Sequence, residues 1–469
     1  MRKYSLWSGP AAARIAALIV AVMLIFCAAA CDRREIRTGD VDQELTVEDL
    51  DIRGRIVYTE TNIASDEDSM APRAIVQAFE QDYPNVKVVY EVANRATFAT
   101  RISSGDIGDV FWGDEADLFN YHSRHNAIMP LDSYIKPLNI DMGDVFTGAQ
   151  SVGMLAGRLY MAPRNIGEHI MTYNLDMLNA EGLHYDGTEA LDWETFKEYA
   201  RRLTKTDESG RVTQTGSSMK IYWYPVWQVF FRGYGGKWID SSTHVISIVD
   251  SAEVMQGLGE MLNGVREGWL YPEDFASQIT GTVGDKFSLI SNDNFSTACF
   301  KTFGDLSGLN SVGNAYDRLE IDWDFCPFPA LPTHTVSTGA TGYMVYNRTN
   351  NSDAAAAFAL YYLTPSGQRA YHSQIGGNVP LLKSLADDDF WKGKGTSWTD
   401  KNYGAFVSYP DFTQPASVDV QAPGEISEIF NSENMKKALS DILSGKADEN
   451  TVFAKMQTEA NEKWSKLLD

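Results

Sequence analysis

Between Arg55 and His125 the chain switches repeatedly between two hydrophobic periods, and this alternation restricts its fold more than any other feature. Ile56-Val57-Tyr58 reads as a buried strand. Ile75, Val76, Phe79 and Tyr83 then recur at helical spacing, with Pro72 suited to a first helical turn. Val86, Val88, Tyr90 and Val92 alternate as a second strand. A helix around Phe98 to Ser103 leads to the short strand Asp109 to Trp112 and to a helix from about Glu115 to His125. Strands separated by helices predict a parallel sheet covered by helices. Ligands bind such sheets beyond the carboxyl ends of the strands, which makes Tyr58 to Asn62 and Trp112 to Glu115 candidate site segments.

A second α/β unit follows. Past Arg158 to Ala162, the pattern continues with a strand at Ile170 to Asn174 and a helix from Trp193 to Leu203, for which Asp192 is an N-cap. A strand from Gly342 to Tyr346 precedes an Ala-rich helix from Ala354 to Leu363. The chain ends in helices near Ile426 to Leu443 and Glu449 to Leu468. With 469 residues, 44% of them hydrophobic, the chain can bury two cores.

The first thirty residues have a different character. Arg2, Lys3 and Arg14 precede an apolar run from Ile15 to Phe26, then small residues up to Cys31, the layout of a secretory signal. The run is about 12 residues, short of the roughly 20 that span a bilayer. Ala28-Ala29-Ala30-Cys31 resembles the bacterial lipobox, which implies that residues 1–30 are removed and that Cys31 is acylated, palmitate being a usual chain. Ala28 stands where that pattern usually has Leu, so ordinary signal-peptidase cleavage stays open. Asp32 resembles the signal that retains lipoproteins in the inner membrane of enteric bacteria. Residues 31–54 are charged and without periodicity, as a tether would be. Removing residues 1–30 takes the formal charge from −23 to −26, which argues against nucleic acid or anionic membrane as the ligand. Cys299 and Cys326 remain in the exported body, as a disulfide or as two thiols.

Several segments, in order, are similar to the extracellular solute-binding proteins of ABC importers, the sugar-binding family in particular. They are Ile56 to Val92; Gly108-Asp109-Val110-Phe111-Trp112-Gly113-Asp114; Gly157-Arg158-Leu159-Tyr160 with Pro163; and Tyr173-Asn174. Asp192-Trp193-Glu194-Thr195-Phe196, Gly235-Gly236, Gly339-Ala340-Thr341-Gly342-Tyr343 and Leu363-Thr364-Pro365-Ser366-Gly367-Gln368 complete the series. The resemblance implies an α/β, two-lobed periplasmic-binding-protein fold of type II, with discontinuous lobes that close by hinge motion. Lobe 1 would hold 55–163 and 335–386, and lobe 2 would hold 168–329 and 387–469. The crossovers would lie near Pro163 to Gly167 and Pro329 to Gly339.

The same resemblance implies a receptor that is not an enzyme, needs no cofactor or metal, and acts as a monomer. It would face the periplasm or extracellular side and pass a sugar to ABC permease subunits. A sugar site needs aromatic platforms and fixed polar groups in a concave pocket. Trp112, Asp114 and Glu115 match ligand-contacting positions of the relatives, although the two carboxylates could simply cap the next helix. Trp223 and Tyr224 match the aromatic segment before the double glycine, whereas Trp227, Phe230 and Phe231 are spaced for a helix core. Thr61, Asn62, Arg164, Asn165 and Glu425 complete the candidate set, with a hinge salt bridge the competing role for Arg164. A clamp of Trp112 against Trp223 or Tyr224 is expected, with Trp112→Ala weakening binding and sparing the fold.

Other chemistries find less in the sequence. Asp114-Glu115-Ala116-Asp117 spells a helicase string, but no phosphate loop accompanies it. His122 and His125 share a helix face without further ligands. Tyr58 with Thr59-Glu60, and Val110-Phe111-Trp112, also resemble ferric-ion-binding relatives, which place adjacent tyrosines at the metal. The adjacent pair here, Tyr361-Tyr362, lies in the Ala-rich helix, where packing explains it. An extracytoplasmic carbohydrate-active enzyme is the alternative from another class.

Overall fold

A computed structural model describes residues 45–468, apart from 62, 64, 67, 68, 124, 156, 166, 305, 340, 375, 376, 416, 417, 419 and 420. The expectations at Cys31 and Asn62 lie outside the described residues. Two sheets form the frame, one of five strands and one of six, and five strands of each follow one plan; the sixth, Lys205–Thr206, pairs at the side with Val212–Met219. In the first, the spatial order is Val86–Val92, Gly54–Glu60, Val110–Asp114, Thr341–Val345 and Met161–Pro163. In the second it is Leu270–Pro272, Val212–Met219, Ala298–Phe303, Ile170–Asn174 and Trp323–Pro327. The fourth strand of each is antiparallel to both neighbours, so the sheets are mixed and not purely parallel as the opening alternation predicts. The reason is directional. Thr341–Val345 and Ile170–Asn174 are the strands that enter a lobe from the other lobe, so they run away from the cleft while their neighbours run toward it.

Three passes of chain lie side by side between the sheets. His169 N donates to Ser337 O at 3.0 Å and Thr338 Oγ1 to Gly167 O at 3.2 Å. Val336–Thr338 pairs in parallel with Thr413–Pro415. Glu168, 1% exposed, accepts from Tyr409 N at 3.0 Å. Burial pushes its carboxyl up to about 8, against the pull of the Tyr409 hydrogen bond.

Local signals become packing as expected in most places. Asp192 Oδ1 accepts from Thr195 N at 3.1 Å and caps Trp193–Leu203. Trp193, Phe196, Trp227, Phe230 and Trp238 are buried together in the second lobe, each worth about 1.5–3 kcal/mol of apolar burial. In the first lobe, Ser352–Tyr361 brings four consecutive buried alanines, Ala354 to Ala357, against the sheet. The helix expected from Ile426 to Leu443 is broken: Gly424–Ser427 and a short 3-10 turn come before Ser432–Leu443. The break falls at Asn431, whose side chain accepts from Asn434 N at 2.9 Å and starts a new helix. Cys299 and Cys326 are free buried thiols, and burial pushes Cys299 up to about 12. No described helix is long and apolar enough to cross a membrane.

Candidate functional site

The strand ends fix the two walls of the cleft. On the first lobe, Pro163 pairs with Gly342 and Gly113 with Gly342, so the last rung before the crossover carries Pro163-Arg164, Gly113-Asp114 and Thr61. Gly342 is required here because a Cβ would stand 2.3 Å from Ala162 O. Under this rung lies a polar cluster around Glu60, whose side chain is 1% exposed. Its Oε2 accepts from Tyr58 and Tyr343 hydroxyls, both at 2.6 Å, and its Oε1 accepts from Thr61 N at 3.0 Å. Arg164 Nη1 stands 3.7 Å from Glu60 Oε2 and donates to Tyr343 Oη at 3.3 Å. Burial, reinforced by the Glu60 charge, pushes the Tyr58 and Tyr343 hydroxyls well above their ordinary range. Arg164 therefore makes the hinge salt bridge that competes with a ligand role. Thr61 and Asn165 are buried, the latter accepting from Thr341 Oγ1 at 3.3 Å.

The outer part of this wall is also internally paired. Arg95, in the turn after Val86–Val92, places Nη2 2.6 Å from Asp114 Oδ2 and 3.0 Å from Asp117 Oδ2. Asp114 Oδ1 accepts from Asp117 N at 3.0 Å, the capping role anticipated for it. Burial and the nearby Asp114 charge raise Asp117 to about 6, with Arg95 pulling the other way. Glu115 is buried in the first turn of Glu115–Ser123. Trp112 is only 4% exposed and belongs to the lobe core. This corrects one expectation: truncating so buried a ring must cost stability as well as any ligand contact.

On the second lobe, Trp223 precedes the helix Tyr224–Arg232. Its ring meets His169 of the first crossover edge to face, with centroids 4.8 Å apart. Gly304 makes room, since a Cβ there would lie 2.7 Å from the indole. Tyr224 is 37% exposed, while Trp227, Phe230 and Phe231 are fully buried, as the helical spacing of those three predicts. Lys220, Glu273 and Asp274, which the sequence reading passed over, close the adjacent strand ends. Glu425 opens Gly424–Ser427, which comes into contact with Glu115–Ser123 of the first lobe. Glu115 and Glu425 thus sit on elements that meet across the cleft. The adjacent tyrosines diverge: Tyr361 donates to Asp82 at 2.6 Å, and Tyr362 joins Tyr58 at 3.1 Å in the Glu60 cluster. Among the described residues no group of three His, Cys, Asp or Glu has metal-binding geometry.

Residues 74–400 match the family described as bacterial extracellular solute-binding protein. The chain belongs to this family. No curated protein matches its sequence. Solved structures show the same fold at low identity. The sugar-binding protein MalE from Xanthomonas citri has a TM-score of 0.70 at 15% identity, over 88% of this chain and 98% of that one. The cyclic α-maltosyl-1,6-maltose binding protein from Arthrobacter globiformis has 0.66 at 15%, over 88% and 99%. UgpB from Mycobacterium tuberculosis, solved with glycerophosphocholine, has 0.64 at 17%, over 89% and 100%.

Proposed function

We propose that this solute-binding protein captures a carbohydrate between its lobes and delivers it to the permease subunits of an ABC importer, without chemical conversion of the ligand. The observation that carries this reading is the equipment of the second-lobe wall. The partly buried indole of Trp223 meets His169 of the crossover, and the exposed phenol of Tyr224 follows it. The strand ends of the first lobe carry the Arg95–Asp114 pair. Aromatic faces for C–H surfaces and fixed charged groups for hydroxyls are what a sugar requires. Relatives solved with cycloalternan and named for maltose-type ligands support the class.

The moving parts in this reading are residues 55–163 with 335–386 against 168–329 with 387–469. Acylation at Cys31 would hold a monomer on the outer face of the membrane. Trp112, Asp114, Glu115, Trp223 and Tyr224 are the central site residues, with Thr61, Asn62, Arg164, Asn165 and Glu425 around them. Titration calorimetry of the exported body against mono- and oligosaccharides, with glycerophosphodiesters as the contrasting class, tests the proposal. Saccharide binding with a 1:1 stoichiometry is expected. A folded protein that binds only the phosphodiester, or none of the panel, overturns it.

A further inference from the structure

We infer that Lys220 and Asp274 form the polar pair with which the second lobe holds adjacent hydroxyls of the solute. This rests on the carbohydrate reading and names a contact that the reading lacks. Strand register places both residues at the cleft. Phe303 pairs with Ile170, the first strand residue beyond the crossover. Lys301 pairs with Ser218 and Pro272 with Met219. The next rung of the sheet is therefore Phe303, Lys220 and Glu273, level with the crossover, and Asp274 follows directly.

The interior beneath this rung is built to hold it still. Lys301, buried, points its ammonium at Glu273 Oε2, 3.2 Å away, and also meets the Asn294 side chain. Ser218 Oγ donates to the same Glu273 oxygen at 2.8 Å. These contacts hold the Glu273 carboxylate from two sides. Asp274 adds backbone strain: its φ is +68°, a conformation that costs a non-glycine residue energy and gathers at functional sites. Asn292 Oδ1 accepts from its N–H at 3.2 Å, and Tyr222 Oη donates to its Oδ2 at 2.8 Å.

What this framework presents outward is a half-exposed ion pair. Lys220 Nζ lies 3.4 Å from Asp274 Oδ2 and 4.0 Å from Glu273 Oε1, and the side chains of Lys220 and Asp274 are 37% and 34% exposed. An ammonium has three donors and a carboxylate two acceptor oxygens, so the pair retains capacity on each side. A sugar hydroxyl is donor and acceptor at once. Two neighbouring hydroxyls match the pair, one donating to Asp274 and the other accepting from Lys220. Glu273 and Lys301 act as positioning residues behind them.

Calorimetry of the full exported body with its best saccharide from the panel tests this. Asp274→Gly removes the carboxylate and suits the positive φ, so its fold should survive; Lys220→Met removes the ammonium. Each should weaken binding roughly 10- to 100-fold, the range for a charge-assisted hydrogen bond, with unchanged thermal unfolding. Lys87→Met, 70% exposed at the start of Val86–Val92 and so at the end of the first sheet away from the cleft, should bind as wild type. A deoxy analogue that loses affinity for wild type but not for Asp274→Gly would identify the hydroxyl. Wild-type binding with unaltered affinity in both variants overturns this inference alone. A wild-type protein that binds no saccharide overturns the carbohydrate reading and this contact with it.

Discussion

The guanidinium of Arg95 stands 5.2 Å from the centre of the Trp112 ring, and the same guanidinium holds Asp114 and Asp117. Cation and ring attract through the ring quadrupole, so one arginine both packs on the indole and is shared between the two carboxylates. A sugar reaching Trp112 must therefore displace or engage Arg95. Arg95→Ala is expected to expose the indole, giving a red shift in tryptophan emission. Because Arg95 lowers the Asp117 carboxyl against burial, its removal should raise Asp117 further above about 6, measurable by carboxyl carbon NMR titration.

Trp112 itself reports on packing. At 4% exposure, Trp112→Ala should destabilise the protein by about 3–5 kcal/mol, the range for a buried aromatic truncation, read as a lower denaturation midpoint at constant slope. Trp112→Phe retains most of the volume and should cost about half as much. Equal stability of Trp112→Ala and wild type would mean that the ring is not packed as described.

Arg164 and Glu60 predict a second stability effect at the hinge. Glu60 is buried with three hydrogen-bond donors besides the guanidinium, while Arg164 keeps a fifth of its side chain exposed. Breaking a fully buried pair costs about 3–5 kcal/mol. The partial exposure and the remaining donors reduce the expectation for Arg164→Met to about 2 kcal/mol. Chemical denaturation of the variant, compared with Arg164→Lys, measures it; the lysine should recover only part, because it lacks the planar fork.

Glu168 gives the pH dependence. Its folded-state carboxyl is raised to about 8 from an ordinary 4.5. The folded protein thus binds a proton more tightly than the unfolded chain, and stability from this group falls as pH rises from about 4.5 through 8. Glu168→Gln keeps the volume and cannot ionise, so it should flatten that part of the profile and be more stable than wild type at pH 8, by an amount on the order of a few kcal/mol. Thermal unfolding at a series of pH values decides this. A variant with an unchanged slope would place the titration elsewhere.

The periodic elements could be read directly because their apolar residues repeat, as in Gly54–Glu60 and Val86–Val92. Val212–Met219 could not. Its sequence is Val-Thr-Gln-Thr-Gly-Ser-Ser-Met, yet Thr215, Ser217 and Ser218 are fully buried in the sheet. The helix Trp193–Leu203 explains the composition: a Cβ on Gly216 would lie 2.1 Å from Ala200 O, so only small side chains admit so close a helix. Thr215 Oγ1 meets its hydrogen-bond need at Trp269 O, 3.0 Å away. Missing this strand hid the rung that ends in Lys220 and Glu273, and with it part of the second-lobe wall. Arg95 was hidden differently, since it lies in a turn past the end of a correctly read strand. The core role of Trp227, Phe230 and Phe231 was legible in their helical spacing, whereas Trp223 and Tyr224 were singled out by the family resemblance of the segment before the double glycine.

The contact between Gly424–Ser427 and Glu115–Ser123 sets the last prediction, which concerns closure. One helix follows the second sheet and the other ends the first, so an open protein must separate them. A ligand favours the closed form only by contacts it gains there, and Tyr224, 37% exposed next to Trp223, is an aromatic side chain placed to supply one. Tyr224→Ala should therefore weaken saccharide binding by about 1–2 kcal/mol, the scale of an aromatic contact with its buried area, and leave the unfolding midpoint within about 0.5 kcal/mol. Small-angle scattering of the wild type should show a smaller radius of gyration with saturating saccharide than without. Tyr224→Ala should need more ligand to reach the same compaction. If saturating ligand produces no compaction in the wild type, or if the variant binds as tightly, closure does not run through this aromatic wall.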